Sequence, residues 1–388
     1  MKFLHVTDTH LGYNQYGLEE RGQDFFDVFK EAIEIAIENK VDFILHTGDF
    51  FHTSRPSNQV ILEGLEIINQ VKNANIPIFC IAGNHDRGSK VRDISPLDIL
   101  KPFGLKTIEN GTVEHEGIFI SGIKYISKAG IKHLGGIRPA LEKILEKTSG
   151  SKNLHILMLH QEFYPLFPMS SLYTEREIPE GFNYVGIGHY HVKQKPKKIN
   201  NSFVVYPGST EFTAYSEKEN STPKGVYLVE YDNDKFNLEF IELKKRRPFI
   251  FFSFEEETFD EVIKDIKESV ENSLSINPKA PVVVLKGMLK ELTIKDLAEK
   301  LSKENLIPDK KNVLYFNFLT SRYIEESTEK VNIEIDEESI YRELKELIGD
   351  EEMFFSVQNV INTLKSFEST DEMKKFLREN PHILELNI

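Results

Sequence analysis

Cysteine and tryptophan are nearly missing from this chain, with Cys80 the single cysteine and no tryptophan among 388 residues. One thiol excludes an internal disulfide. Its neighbours Ile78, Phe79 and Ile81 are apolar, so a core position in a reducing, cytoplasmic setting is expected. Long hydrophobic runs are also missing. No stretch approaches the roughly 18 apolar residues of a membrane span. Met1 to Val6 enters an apolar run with no charged-then-apolar leader, so neither membrane insertion nor secretion is expected. Positive charge is in deficit, 48 Lys and Arg against 62 Asp and Glu, for a formal charge of −14. That argues against gripping a polyanion through overall basicity. It leaves open a site where bound divalent cations supply positive charge locally.

What remains is ordinary globular material. The hydrophobic fraction of 40% and the length of 388 residues provide for a real core in two or three domains. Short apolar runs at Phe3–Val6, Phe43–Leu45, Ile78–Ile81, His155–Leu159 and Tyr184–Ile187 predict buried strands. Between the first two, Phe25, Phe26, Phe29, Ile33, Ala36 and Ile37 follow helical spacing. Strand–helix–strand alternation predicts an α/β layered domain over residues 1–245. The runs Phe203–Tyr206 and Val226–Val229 lie closer together and predict some antiparallel pairing. After Lys244-Lys245-Arg246-Arg247-Pro248 a β-α-β-α-β pattern predicts a small second domain over 248–322. An acidic linker follows at 323–335, with Glu325, Glu326 and Glu329, and then amphipathic helices over 336–388. No internal repeat or low-complexity segment interrupts the pattern.

The histidines locate the chemistry. There are 12, and none falls between His191 and His382. Five predicted strands are each followed by oxygen or imidazole donors: Asp8-Thr9-His10, Gly48-Asp49, Gly83-Asn84-His85-Asp86, His160, and Gly188-His189-Tyr190-His191. Ligand sites of α/β sheets lie at the carboxyl ends of strands, and the glycines at 48, 83 and 188 let the backbone turn and approach closely. Asp8, His10, Asp49, Asn84, His160, His189 and His191 make seven donors. One ion with about four to six positions cannot use them all while keeping room for water and substrate; two ions bridged by a carboxylate can. Imidazole, carboxylate and amide without thiolate suit Mn²⁺, Fe²⁺ or Zn²⁺ better than Mg²⁺. Of the other histidines, His5, His46, His115, His133, His155 and His382 are read as structural or surface residues.

This ordered set resembles the signature of the calcineurin-like metallophosphoesterases. Within that superfamily, His10-Leu11-Gly12-Tyr13, Asp49-Phe50-Phe51-His52 with Arg55-Pro56, and Pro207-Gly208-Ser209-Thr210-Glu211 resemble the double-strand-break repair nucleases of the SbcD-type, meiotic-recombination nuclease family. The motifs cover residues 1–240; the rest matches by domain order. The resemblance implies a layered β-sandwich flanked by helices, a small α+β capping domain and C-terminal helices. It also implies two Mn²⁺ ions. Asp8, His10, Asp49 and His191 would hold one, and Asp49, Asn84, His160 and His189 the other, with Asp49 as the bridge.

In that family His85 is not a ligand. Its implied task is proton delivery to the leaving 3′ oxygen or positioning of the scissile phosphate, with Asp86 orienting it. His52 joins His85 in the expected catalytic set and, with Arg55 nearby, would contact or orient the DNA backbone; Tyr13 would also meet the DNA. Lys193, with Lys195, Lys197 and Lys198 beside it, fits phosphate contacts and a merely solvated basic run equally. The implied activity is 3′–5′ double-strand exonuclease and single-strand endonuclease on DNA ends and hairpins. The implied partners are an SMC-like coiled-coil repair ATPase, docking on 336–388, and a second copy of the chain through helices near 60–72 and 91–102 (Ile61, Leu62, Leu65, Ile68, Leu97 and Leu100), in the nucleoid-associated cytoplasm of a prokaryote. The same apolar positions also fit an ordinary core. Two other functions stay open: another phosphodiesterase or phosphatase of the superfamily, or a DNA-end tether for the ATPase.

Overall fold

The computed structural model describes residues 1–87, 94–148, 153–163, 166–167, 174–214, 219, 221–307 and 310–322. The expected linker at 323–335 (from 323 on) and helical module at 336–388 lie outside the described residues.

Two six-stranded sheets face one another. In the first, β1 (Lys2–Val6), β2 (Phe43–His46), β3 (Ile78–Cys80) and β4 (Leu105–Thr107) run parallel. The second contains β5 (Gly111–His115), β6 (Ile118–Ile123), β7 (His155–His160), β8 (Tyr184–Gly188), β9 (Lys197–Ile199) and β10 (Ser202–Val205), in the order 5-6-7-8-10-9. Two antiparallel strands, β11 (Gly225–Asp232) and β12 (Lys235–Glu242), extend the first sheet beyond β1.

Alternation within each run decides which way its side chains face. Phe3, Phe43, Leu45 and Phe79 point between the sheets and meet Ile120, Ile156, Met158, Tyr184 and Val205 of the second sheet. Leu4, Val6, Ile44 and Cys80 point outward to helices α1 (Glu19–Glu38) and α2 (Asn58–Asn73). The helix α1 fits that seat because Phe25, Phe26, Phe29, Ala32, Ile33 and Ala36 are buried on one side, while Glu19 and Glu20 favour the positive end of its dipole. Ser57 caps α2 by accepting from the Val60 amide. A short α3 (Pro96–Leu100) follows on the same side. On the other side α4 (Lys128–Leu134) and α5 (Arg138–Glu146) cover the second sheet through Ile131, Leu141 and Ile144. The result is the expected helix-flanked sandwich.

Two expectations need refinement. The antiparallel pairing expected at 203–206 and 226–229 is present, each run with its own neighbours rather than with the other. β10 runs parallel to β8 and antiparallel to β9, whereas β11 pairs with β1 and β12, because the chain changes sheets between them. Of the apolar residues assigned to a dimer face, Ile68, Leu97 and Leu100 are buried in this chain's own core; Leu62 is 52% exposed. Those three therefore serve the fold of the chain itself.

Residues 249–322 build a third sheet, of three strands. β13 (Phe249–Glu255), β14 (Val282–Leu289) and β15 (Tyr315–Arg322) are all parallel, and α6 (Phe259–Ile276) and α7 (Ile294–Lys303) form the crossovers. Thr293 and Asp296 close a capping box on α7. Tyr16 stacks on Tyr315 with ring centroids 4.4 Å apart, joining this sheet to the sandwich. Among the described residues, no helix is long and apolar enough to cross a membrane.

Candidate metal centre

The carboxyl ends of β1, β2, β3, β7 and β8 converge on one rim of the sandwich, and each delivers the donors expected of it. Asp8, His10, Asp49 and His191 offer ligand atoms that all lie within 4.8 Å of one another, as do those of Asp49, His160 and His189. Asp49 belongs to both groups. In the first, the Nε2 atoms of His10 and His191 lie 3.1 Å apart, with His191 Nε2 3.6 Å from Asp8 Oδ1 and His10 Nε2 3.8 Å from Asp49 Oδ2. In the second, His160 Nε2 lies 3.3 Å from Asp49 Oδ2 and 3.1 Å from Asn84 Oδ1. His160 Nδ1 donates to the Thr47 carbonyl at 2.8 Å, which directs its Nε2 inward. All seven predicted donors are thus neighbours. Their chemistry, clustered carboxylate and imidazole at hydrogen-bond range, fits divalent cations.

The backbone here is strained. Asp8, His10, Asp49 and His189 all take positive φ, at 50°, 42°, 52° and 79°. Side-chain-bearing residues rarely do so, and such strain collects at functional sites. The glycines beside them leave room: a Cβ on Gly83 would come within 2.1 Å of Asp49 Oδ1, and one on Gly188 within 2.3 Å of the Thr47 carbonyl.

Charge is unbalanced in the same place. Burial raises the Asp8 carboxyl above the usual range, and the charge of Asp49 adds to that. Burial also acts on Asp49, but His160 outweighs it and holds Asp49 well below its usual value. Burial would lower His160, yet Asp49 lifts it to about 9. His10 is brought down to about 3 by burial, and burial lowers His191 well below its ordinary value too. Two neutral imidazoles therefore face two carboxylates, the arrangement in which an imidazole can act as a ligand.

Beside these donors stands a column of rings. Tyr13 stacks on His52 at 3.8 Å, and His52 on His85 at 5.1 Å. His85 Nδ1 donates to the His52 carbonyl at 2.7 Å, leaving Nε2 without that proton, and the His85 amide donates to Asp49 Oδ1 at 2.9 Å. The ring nitrogens of His10, His52 and His85 also lie within 4.8 Å of one another, a grouping without a carboxylate.

The expectation that Asp86 orients the His85 ring is not met. The Asp86 carboxylate accepts from the amides of Phe50, Phe51 and Gly83 and ties the loop after β2 to the loop after β3. The His52 carbonyl orients His85 instead. Arg55 is exposed on the loop before α2. Lys193 stands 4.0 Å over the Phe240 ring, Lys198 over Phe203, and Lys197 pairs with Glu175, so these three lysines are held by the fold.

Sequence reasoning missed the groups behind the donors. Thr213 contacts His191 Nδ1 at 2.5 Å, Glu162 lies 3.4 Å from His189 Nε2, and Lys224 and Glu219 form a buried pair at 2.7 Å. Thr213 and the Lys224–Glu219 pair sit 22 to 33 residues from His191 in the chain. No local motif marks them.

Comparison with known proteins agrees with this geometry. Residues 1–193 match the calcineurin-like phosphoesterase family. The chain is 30% identical over 333 residues to the DNA double-strand break repair protein Mre11 of Sulfolobus acidocaldarius, covering 81% of this chain and 85% of that one. It is 34% identical over 293 residues to the protein of that name from Thermoplasma acidophilum, covering 73% and 75%. Against the one from Methanococcus maripaludis it is 36% identical over 245 residues, covering 60% and 64%. With a phosphoesterase match over the residues that build the centre and relatives matched along most of their length, the chain belongs to the Mre11 family of DNA double-strand break repair proteins and is a metal-dependent phosphoesterase.

Proposed function

We propose that this chain hydrolyses phosphodiester bonds at DNA ends with two Mn²⁺ ions, as the nuclease of a double-strand-break repair complex. Asp8, His10, Asp49 and His191 would hold one ion; Asp49, Asn84, His160 and His189 would hold the other. The observation that carries this reading is the shared position of Asp49 between two groups of carboxylate and imidazole donors. A bound pair of divalent ions supplies an activated water and stabilises charge on the phosphoryl oxygens.

The chain's own residues do the rest. His85 stands beside His10, their ring centroids 5.1 Å apart, where an Nε2 that has taken up a second proton would pass it to a leaving 3′ oxygen, or the ring would position the scissile phosphate. Its Nδ1–H is engaged by the His52 carbonyl, which fixes the tautomer. His52, sandwiched between Tyr13 and His85, would offer its ring edge where a nucleotide passes. Arg55 extends that edge toward the DNA backbone, and Lys193 lies beyond the His191 side. Residues 1–245 form the hydrolytic domain in this reading, and 248–322 a cap shaping the DNA cleft. Residues 323–335 are the linker to a helical module, 336–388, for an SMC-like coiled-coil ATPase. The chain pairs with a second copy through the exposed part of the α2 surface around Leu62.

The test is digestion of end-labelled duplex DNA with Mn²⁺, with Mg²⁺ and with a chelator, for the wild type and His85→Ala. Mn²⁺-dependent degradation that the chelator abolishes is expected. His85→Ala should keep both ions by calorimetry while losing about 10²–10⁴-fold in rate, the usual weight of general acid catalysis. Hydrolysis of small phosphate esters without attack on DNA ends would instead indicate a different phosphoesterase.

A further inference from the structure

Behind His191 lies a buried chain of side chains that no motif announces. Lys224 has three ammonium protons, and three acceptors surround it: Glu219 Oε1 at 2.7 Å, Ser209 Oγ at 2.7 Å and the His191 carbonyl at 2.9 Å. Glu219 Oε1 also accepts from the Thr213 amide at 2.9 Å and from the Thr213 hydroxyl at 3.2 Å. That hydroxyl lies 2.5 Å from His191 Nδ1. Thr213, Glu219 and Lys224 are 8%, 3% and 2% exposed, so water does not compete freely for these bonds.

Proton counting fixes the direction of the chain. An ionised carboxylate only accepts, and a hydroxyl has one proton and lone pairs to spare. Burial opposes ionisation of Glu219, but Lys224 outweighs it and holds Glu219 below its ordinary value. With the Thr213 proton given to Glu219, its oxygen can only accept from His191, so Nδ1 carries the hydrogen and Nε2 is bare. The reverse arrangement would aim a carboxylate lone pair at a hydroxyl lone pair. It would also put a hydrogen on Nε2, the atom 3.1 Å from His10 Nε2. A backbone bond clamps Thr213 from the far side: its carbonyl accepts from Gln15 Nε2 at 3.0 Å, and Gln15 Oε1 accepts from Arg21 Nε at 2.9 Å.

We propose that Thr213 is a positioning residue which, held by Glu219 and Lys224, locks His191 in the tautomer that turns a bare Nε2 toward Asp8 and His10. The contrast with His160 sharpens the point. His160 gives its Nδ1 proton to the Thr47 carbonyl, a backbone acceptor that substitution does not remove. His191 depends on a side chain. The two halves of the centre therefore differ in how they can be broken. This inference rests on the reading of His191 as a ligand under Proposed function.

The experiment uses the full chain labelled with ¹⁵N-histidine, stripped with chelator, and read by long-range ¹H–¹⁵N NMR, with Mn²⁺ calorimetry on the same samples. Wild type should show His191 as the Nδ1–H tautomer. In Thr213→Val that signature should become mixed. The affinity for one ion should then fall about 10–100-fold, the usual weight of a group that orients a ligand, with the other ion unchanged. Thr213→Ser should restore both readouts. An unchanged tautomer with two intact ions in Thr213→Val would overturn the proposal, as would failure of Thr213→Ser to rescue. A separate variant, His191→Ala, tests the reading beneath it: two ions bound at wild-type affinity there would remove His191 from the ligand set.

Discussion

Among the described residues, the clusters around Asp24 and around Asp8 and Asp49 are both buried, and they are built on opposite principles. Asp24, on α1, is wrapped in protein cations. It accepts from Arg21 at 2.6 Å, from Arg247 at 2.5 Å and from Lys279 at 2.9 Å. Arg247 goes on to donate to the Ala280 carbonyl, so the cluster fastens α1 to the sheet of residues 249–322. Burial opposes ionisation of Asp24, but its hydrogen bonds and these cations hold it below the ordinary carboxylate value. Asp8 and Asp49 lie 16 and 25 positions from Asp24 in the chain, on one side and the other. They face imidazoles and each other, on backbone with positive φ. Asp8 is raised where Asp24 is lowered. A carboxylate supplied with cations by the chain is a structural clasp. Carboxylates gathered without such cations, on strained backbone, are arranged for a cation that comes from outside.

The largest test of that contrast removes the shared carboxylate. Asp49→Ala should weaken both ions and lower hydrolysis by on the order of 10³-fold or more, since the charge that stabilises the transition state goes with them. Calorimetry should show two sites affected. Loss of a single site would contradict the bridge.

Next in size is a matched pair of amides. Asp24→Asn leaves Arg21 and Arg247 buried beside a neutral group, and should reduce stability by about 3–5 kcal/mol in urea unfolding with chelator present. Asp8→Asn, measured the same way, removes a charge that the apo fold disfavours. Stability should rise by on the order of 1 kcal/mol at pH 8, while the ion on the Asp8 side is lost and the one on the His160 side is kept, the trade expected at a functional site. Equal destabilisation by both substitutions would erase the distinction between clasp and site.

How far the sequence discloses these two centres follows from how each is encoded. The strands could be read because each is a short run of apolar residues, and Phe3 and Leu4 can face opposite layers only if both faces are covered. The metal-site donors could be read because a strand end followed by a turn must place them within two to four residues of an apolar run; Asp8, His10 and Asp49 announce themselves that way. The Asp24 clasp could not, because beyond Arg21, three residues away, its partners lie 223 and 255 residues off and each is only an ordinary charge in its own segment. Thr213, Glu219 and Lys224 were silent for the same reason. His5 and His46 show the converse. Both sit on strands beside the site, yet His5 bonds Tyr184 and Thr47, and His46 bonds Thr9, so their imidazoles serve the packing between layers. Which strand belongs to which sheet of the expected sandwich was likewise hidden, since apolar runs do not say which neighbour they pair with.

The smallest predicted effect is a proton count, and its sign separates the two centres again. Asp24, lowered, contributes stability that is present above its ordinary value and is lost as pH falls through its folded value, far from neutrality. Asp8 and His160 are raised, Asp8 to about 7 and His160 to about 9. Each holds a proton in the chelated protein at pH values where its unfolded counterpart has begun to lose it, and each must release that proton to take a cation. His10 and His191 are already neutral near pH 7 and release none. Mn²⁺ affinity should therefore rise with pH, by up to about tenfold per unit for each proton displaced. The slope should be near two protons below pH 7, near one between 7 and 9, and flat above. Calorimetry in buffers of different ionisation enthalpy measures that release directly. In Asp8→Asn the step near 7 should vanish and the step near 9 persist, whereas Asp24→Asn should leave both steps in place. A pH-independent affinity in the wild type would mean that the two raised groups are not the ones that meet the ions.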